Sequence, residues 1–150
     1  MYSKKQLNEI FRILSNSSDL TTRSLEELER LNSEENIFIE FSDDGEIAGF
    51  ITRERIHNNY FEVKSLFIKN KFRKQGIATK LISRSTEDEN EIYISSIFTT
   101  HMVKILIDCG YEKANYFQLP FLIMIKFIGK KKVSSLFKAL NKKSWLMLKI

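Results

Sequence analysis

The 150-residue chain has one cysteine, one proline and five glycines, and each scarcity removes a class of protein. Cys109 alone can build neither a disulfide framework nor a thiolate metal site, and a lone thiol suits a reducing cytosol. With Pro120 as the single proline and no Pro/Gly-rich linker or internal repeat, one domain over residues 1–150 is expected. Long apolar runs are missing too. The longest, Leu119 to Ile128, contains Pro120 and Lys126 and falls well short of the roughly 20 residues that span a bilayer. The N-terminal MYSKKQLNEIFRIL has neither the continuous apolar stretch nor the small-residue cleavage site of a signal peptide. A soluble, cytoplasmic protein is therefore predicted. Its 43% hydrophobic content, with twelve Phe, excludes a long disordered chain.

Acidic residues are absent from one part of the chain. Residues 1–112 hold 15 basic and 19 acidic side chains, whereas residues 113–150 hold nine lysines and no Asp or Glu, for a net charge of +5. Such an end either meets an anionic partner (a phosphorylated cofactor, nucleic acid or an acidic protein) or simply keeps the chain soluble. No Arg-aromatic interleaving or zinc-finger spacing supports specific nucleic-acid reading.

Periodicity supplies the elements. Leu7, Ile10, Phe11 and Leu14 fall at helical spacing within residues 4–15. Ser24 opens a capping box with Glu27, predicting a second helix to about Leu31. Ile37–Phe41 and Ile47–Ile56 read as a hairpin about Asp43-Asp44-Gly45, followed by a turn at His57-Asn58-Asn59 and a third strand, Tyr60–Ile68. A helix after Gly76 should carry Ile77, Leu81 and Ile82 on one face. Then come a strand at Ile92–Phe98, a helix at His101–Cys109 closed by Gly110, and a strand at Tyr111–Phe117. Residues 121–128 read as a last strand or an apolar helix turn. Ser144–Ile150 is favoured as the final strand, making residues 119–142 a helical insertion ahead of it, with Ser134–Leu140 as its second half. Pro120–Ile128 is then buried core, a dimer patch, or a lid over an apolar ligand. The element order predicts an α+β fold with a mixed, mostly antiparallel sheet.

One stretch carries chemistry. Val63-Lys64-Ser65-Leu66-Phe67-Ile68 is an apolar strand that runs through the basic loop Lys69-Asn70-Lys71-Phe72-Arg73-Lys74-Gln75 into a helix opened by Gly76. The first amides of a helix lack intrachain acceptors and carry partial positive charge. Gly76 lets an anion approach the backbone, Ala78 keeps the next contact small, and Arg73 and Lys74 add charged donors. A diphosphate fits such a cradle. The loop is not a Walker sequence, because no Gly-Lys-Ser/Thr follows, and no G-x-G-x-x-G is present.

The pattern V-x-x-L-x-I followed by F-R-K-Q-G-I-A-x-x-L resembles motif A of the GCN5-related N-acetyltransferase (GNAT) superfamily over about 20 contiguous residues. The looser β-α-β agreement to Tyr111 extends the likeness to about half the chain. The resemblance implies acetyl-CoA or another acyl-CoA in a V-shaped cleft where two central strands splay. Main-chain groups of Leu66, Phe67 and Ile68 would pair with the pantetheine. Arg73 and the amides of Lys74, Gln75, Gly76, Ile77, Ala78 and Thr79 would hold the pyrophosphate. Glu62 stands eleven residues before Arg73, as the general base does in the histone acetyltransferase branch; otherwise it is a strand glutamate facing Lys64 and solvent.

The chain also departs from the pattern. Leu106 stands where many members place a proton-donating Tyr, Thr99 replaces an Asn, and Met102 replaces a small residue. Ser95, Ser96, Thr99, Thr100 and His101 are the nearby polar groups, although His101 is read as a capping or surface residue, Cys109 as core and His57 as solvated. The strand that usually precedes the first two helices is missing or replaced. The implied function is direct transfer of an acetyl group from acetyl-CoA to an amine of a small molecule or protein. The alternatives are an acetyl-CoA-binding module with little catalysis, acting as sensor or partner-binding protein, and a basic interaction protein using its lysine-rich end. No metal is called for, and a homodimer is compatible with the apolar stretch.

Overall fold

The structure, a computed structural model, describes residues 1–17, 20, 22–97, 99–129 and 145–150. Helices α1 (Lys4–Ser15) and α2 (Leu25–Ser33) precede strands β1 (Ile37–Phe41), β2 (Ile47–His57) and β3 (Tyr60–Ile68). Helix α3 (Ile77–Ser85), strand β4 (Ile92–Ile97), helix α4 (Thr100–Asp108), strand β5 (Glu112–Ala114), helix α5 (Phe121–Gly129) and strand β6 (Trp145–Lys149) follow. Sheet order is β1-β2-β3-β4-β6-β5. The β1–β2, β4–β6 and β5–β6 pairs are antiparallel and β3–β4 is parallel, so the fold is α+β with a mixed sheet. No strand precedes α1 among the described residues.

The chain forms two compact units, and β2 and β3 thread through both. The first comprises Met1–Glu54 and Val63–Ser85. Its core joins one face of α1 (Leu7, Ile10, Leu14) and of α2 (Leu28, Leu31) to Ile37, Ile39, Ile47 and Phe50 of the sheet. Both helices start at capping boxes. In α2, Ser24 Oγ accepts from Glu27 N at 3.1 Å while Glu27 Oε2 accepts from Ser24 N at 2.9 Å; Ser3 and Gln6 do the same for α1. Gly45, at φ +75°, makes the β1–β2 turn, where an L side chain would be strained.

Helix α3 is tied to β1 by charge. Glu40 on β1 is only 8% exposed, with Lys80 Nζ at 2.6 Å from one carboxylate oxygen and Arg84 Nη1 on the other. Burial would raise its pKa, but the hydrogen bonds from Lys80 and Arg84 prevail and hold it below the ordinary 4.5. A carboxyl depressed by folding adds stability above its unfolded pKa and loses it as pH falls through the folded one. Glu40→Gln should therefore lower unfolding free energy by about 1 kcal/mol at neutral pH, both cations being solvent-exposed. The gap to wild type should narrow as pH falls below 4.5 in denaturant titrations.

The second unit comprises Arg55–Glu62 and Thr86–Ile150. Tyr60, Phe61 and Glu62 pair in parallel with Ile92, Tyr93 and Ile94. β6 lies antiparallel to β4, with Ser95 opposite Met147 and Ile97 opposite Trp145. Its core includes Ile56, Ile94, Leu119, Ile123 and Leu146. Gly110, at φ +87°, closes α4, as its sequence position implies.

Three readings are corrected or limited here. The strand expected over Tyr111–Phe117 contracts to Glu112–Ala114, because Gln118 folds back on Asn115 through both its amide and its side chain and makes a 3-10 turn at Tyr116–Gln118. His57 is not solvated in a turn: it ends β2, half-buried, with Lys126 Nζ 3.1 Å from its Nδ1. Residues 121–129 form α5, with a packed side and an exposed side, while the rest of the 119–142 insertion, including Ser134–Leu140, lies outside the described residues.

Candidate functional site

The first unit contains the motif that drew attention in the sequence. β3 runs through Leu66, Phe67 and Ile68 into a 3-10 turn at Asn70–Phe72, then through Arg73–Gly76 into α3. Lys74 and Gly76 both have left-handed backbone, with φ +63° and +75°, on either side of Gln75. Alternating hand turns successive amides to one side and makes a concavity for an anion. The first helical hydrogen bond is Lys80 N to Gly76 O at 3.0 Å, so the amides of Ile77 and Ala78 have no helical carbonyl to reach. Arg73, Lys74, Gln75, Gly76 and Thr79 are exposed, and nothing lies within 4 Å of where a Gly76 Cβ would stand. The cradle is open and of the right chemistry for a diphosphate.

Beside it lies a cavity of about 300 Å³ lined by Asn16, Ser17, Leu20, Leu66, Phe67, Ile68 and Arg73. It brings together the three strand residues assigned to the pantetheine and the arginine assigned to the pyrophosphate. Arg73 Nε also donates to the Ile68 carbonyl at 3.3 Å, which orients the guanidinium over the end of the strand.

The loop is anchored by its other cations. Lys69 Nζ lies 2.8 Å from Glu9 on α1 and 3.0 Å from Glu46, and Lys71 also pairs with Glu46. Desolvation would lower the Lys69 pKa, but its bonds to Glu9 and Glu46 outweigh that and raise it; bonds from Lys71 and then Lys69 lower that of Glu46. Two of the loop's lysines are therefore engaged in structure. Lys74 shows no ion pair among the described residues and is exposed.

Several features of this region escaped the sequence. Ser65 has φ +57° inside β3, is buried, and has no partner for its hydroxyl. A left-handed residue within a strand is the mark of a bulge, and it breaks the pleat just ahead of Leu66. Gly49 on β2 is a close-approach glycine: a Cβ there would stand 2.6 Å from Ile68 Cδ1 and 2.7 Å from the Phe67 carbonyl oxygen. Gly49→Ala should cost about 1–3 kcal/mol through overpacking. It should also weaken cofactor binding by displacing the Phe67–Ile68 backbone, which thermal melts and ligand titration would report together. Finally, Arg23, Arg30 and Lys64 converge on Glu54 at 3.5, 3.9 and 3.2 Å, and the buried Nε of Arg23 has no partner.

The remaining candidates belong to the second unit. Glu62 is 7% exposed on β3, opposite Ile94. Ser95 is buried, Ser96 and Met102 are half-buried, Thr99 stands at the N-cap position of α4 without a side-chain capping bond, and Thr100 and His101 are exposed on its first turn. Leu106 is core at 2% exposure, so no proton donor stands at that position. Cys109 is half-buried at the C-cap of α4.

A mixed α+β sheet here delivers a strand into an open, left-handed concavity at a helix N-terminus, an arrangement whose chemistry fits a phosphate-bearing ligand. The profile of the acetyltransferase (GNAT) domain matches residues 6–106, more than half of the chain, and the chain belongs to the GNAT acetyltransferase family. No curated protein sequence matches it. Among solved structures, Rv2747 from Mycobacterium tuberculosis, in complex with CoA, superposes with a TM-score of 0.77 at 11% identity, over 99% of this chain and 95% of that one. A variant of spermidine N-acetyltransferase from Vibrio cholerae gives 0.66 at 13% identity, over 99% and 92%. N-acetylglutamate synthase from Neisseria gonorrhoeae, with coenzyme A and N-acetyl-glutamate, gives 0.65 at 16% identity, over 97% of this chain but 32% of the synthase. At these identities the likeness is one of fold.

Proposed function

We propose that this chain is an N-acetyltransferase that moves the acetyl group of acetyl-CoA directly to an amine. The observation that carries the reading is the cradle at Lys74–Gly76 beside a cavity lined by Leu66, Phe67, Ile68 and Arg73. In this reading the amides of Lys74, Gln75, Gly76, Ile77, Ala78 and Thr79 hold the pyrophosphate and Arg73 adds charge. Main-chain groups of Leu66, Phe67 and Ile68 hold the pantetheine. The solved GNAT structures that contain coenzyme A support the same ligand here.

The amine nitrogen attacks the thioester carbonyl carbon, the carbon–sulfur bond breaks, and the amine proton leaves. Glu62, on the same strand as the pantetheine residues and four positions before Leu66, accepts that proton. With Leu106 apolar and buried, coenzyme A departs as a thiolate stable enough to need no acid, a thiol having a pKa near 8.5. The same Leu106 favours a second reading, an acetyl-CoA-binding module with little catalysis. In both readings the chain is one acyltransferase domain with 119–142 inserted ahead of β6, and the acceptor is an amine of a class still to be screened.

Calorimetric titration with acetyl-CoA, coenzyme A and a longer acyl-CoA tests the shared part. Micromolar binding is expected. Arg73→Ala should weaken it about tenfold, the scale of one lost charge-assisted contact. Failure to bind any of the three would reject the reading.

A further inference from the structure

We propose that Arg73 is a latch that couples the two halves of the cofactor site. In the free chain it caps the Ile68 carbonyl, and a phosphate group in the cradle draws it off. The inference rests on the function proposed above, in which Ile68 pairs with the pantetheine and Arg73 with the pyrophosphate.

The direction of the Ile68 carbonyl follows from its neighbour. Lys69 N donates to Ala48 O on β2 at 2.9 Å. The N–H and C=O of one trans peptide unit point opposite ways, so the Ile68 carbonyl faces away from β2. A strand carbonyl turned from its sheet neighbour is what an extended, amide-bearing ligand needs in order to pair with main chain. In the free chain that acceptor is already engaged. Arg73 Nε donates to it at 3.3 Å, and Arg73 lines the cavity together with Leu66, Phe67 and Ile68. A carbonyl oxygen has a second lone pair, but the guanidinium also takes up room in the cavity it lines.

The latch is lightly held, unlike the rest of its loop. Lys69 and Lys71 are fixed by Glu9 and Glu46. Arg73 is exposed and makes no ion pair among the described residues. Its acceptor is a neutral carbonyl, at a distance just past the usual range for such bonds. A phosphate oxygen offers a charge-assisted bond, roughly twice as strong, and can be gripped by two N–H groups at once. The cradle begins at Lys74, the next residue, so a phosphate there lies within reach of the same side chain. Phosphate wins the guanidinium when it is present, and the carbonyl holds it otherwise. Filling one half of the site thereby opens the other.

The cofactor can be split to test this. S-Acetylpantetheine carries the thioester and both amides but no phosphate, and inorganic phosphate fills part of the cradle without taking the pantetheine's place. Titrations followed by nuclear magnetic resonance should show phosphate tightening S-acetylpantetheine binding to the wild type about threefold or more, the scale of one released hydrogen bond. Arg73→Ala should bind S-acetylpantetheine about threefold more tightly than the wild type without phosphate, and phosphate should then have no effect. The same variant binds acetyl-CoA more weakly. Opposite signs for the two ligands mark a latch, because a loop merely loosened by the substitution would weaken both. If Arg73→Ala gains no affinity for S-acetylpantetheine, or phosphate leaves the wild type unchanged, the latch is overturned while acetyl-CoA binding, and the function it supports, stand. A wild type that binds no acetyl-CoA would overturn both.

Discussion

Gly76→Glu should raise the dissociation constant for acetyl-CoA at least ~100-fold, equivalent to about 2.7 kcal/mol, while leaving the fold in place. Two independent effects act at this position. Gly76 sits at φ +75°, where a side chain costs roughly 1–2 kcal/mol of backbone strain. Its Cβ would meet no atom within 4 Å, so the protein can accommodate the glutamate sterically. The new carboxylate would then stand in the cradle, opposing a diphosphate and competing for the free amides of α3. Gly76→Ala separates the two effects, since it carries the strain without the charge. It should cost no more than about tenfold in affinity and a few degrees of melting temperature. Equal affinity for Gly76→Glu and wild type, measured by calorimetry, would remove the diphosphate from this loop.

That the sequence suggests an unusual backbone at Gly76 but not at Lys74 or Ser65 has a physical reason. A glycine between a basic loop and an apolar helical period is one of few residue types that accept positive φ, so identity and conformation coincide. Lys74 and Ser65 adopt the same left-handed conformation with side chains that do not advertise it. Their strain is carried by the surrounding structure rather than by a local preference. Gly49 was visible only as a glycine in a strand, a pattern equally compatible with a bulge or a close approach. The Ile68 side chain and Phe67 carbonyl that require it come from another strand. The same holds for Arg23 and Glu54, whose pairing crosses 31 positions.

Elements followed the same logic. Where apolar residues repeated at a helical or strand period, as in α1, the hairpin of β1 and β2, and β3, the predicted and observed ranges coincide within a residue. Residues 121–128 are apolar nearly throughout, so they carry no phase, and periodicity alone could not choose between helix and strand. Contacts of Ile123 with Ile56, Ile94 and Leu146 show which side of the resulting α5 faces the core. Leu106, reached by counting back from Gly110, is buried at 2% exposure, which the count itself does not foretell.

The chemical half of the reading rests on Glu62, and Glu62→Gln should lower kcat about 100-fold with affinity for acetyl-CoA unchanged. A positioned base contributes on the order of 10²–10⁴ to rate, and the amide replaces it with almost the same shape. Glu62 is 7% exposed on β3, paired across to Ile94, so its side chain is confined by the strand. The residual activity should rise with pH, because free amine becomes available without the base as solvent deprotonates it. This dependence separates a proton-transfer role from a structural one. A glutamine that merely loosened the strand would lower melting temperature and kcat together at every pH, and raising pH would rescue neither. If kcat is unaffected while acetyl-CoA still binds tightly, the proton leaves by another route or the chain transfers little. The buried, apolar Leu106 would then weigh toward an acetyl-CoA-binding module, because neither a base nor an acid would flank the thioester.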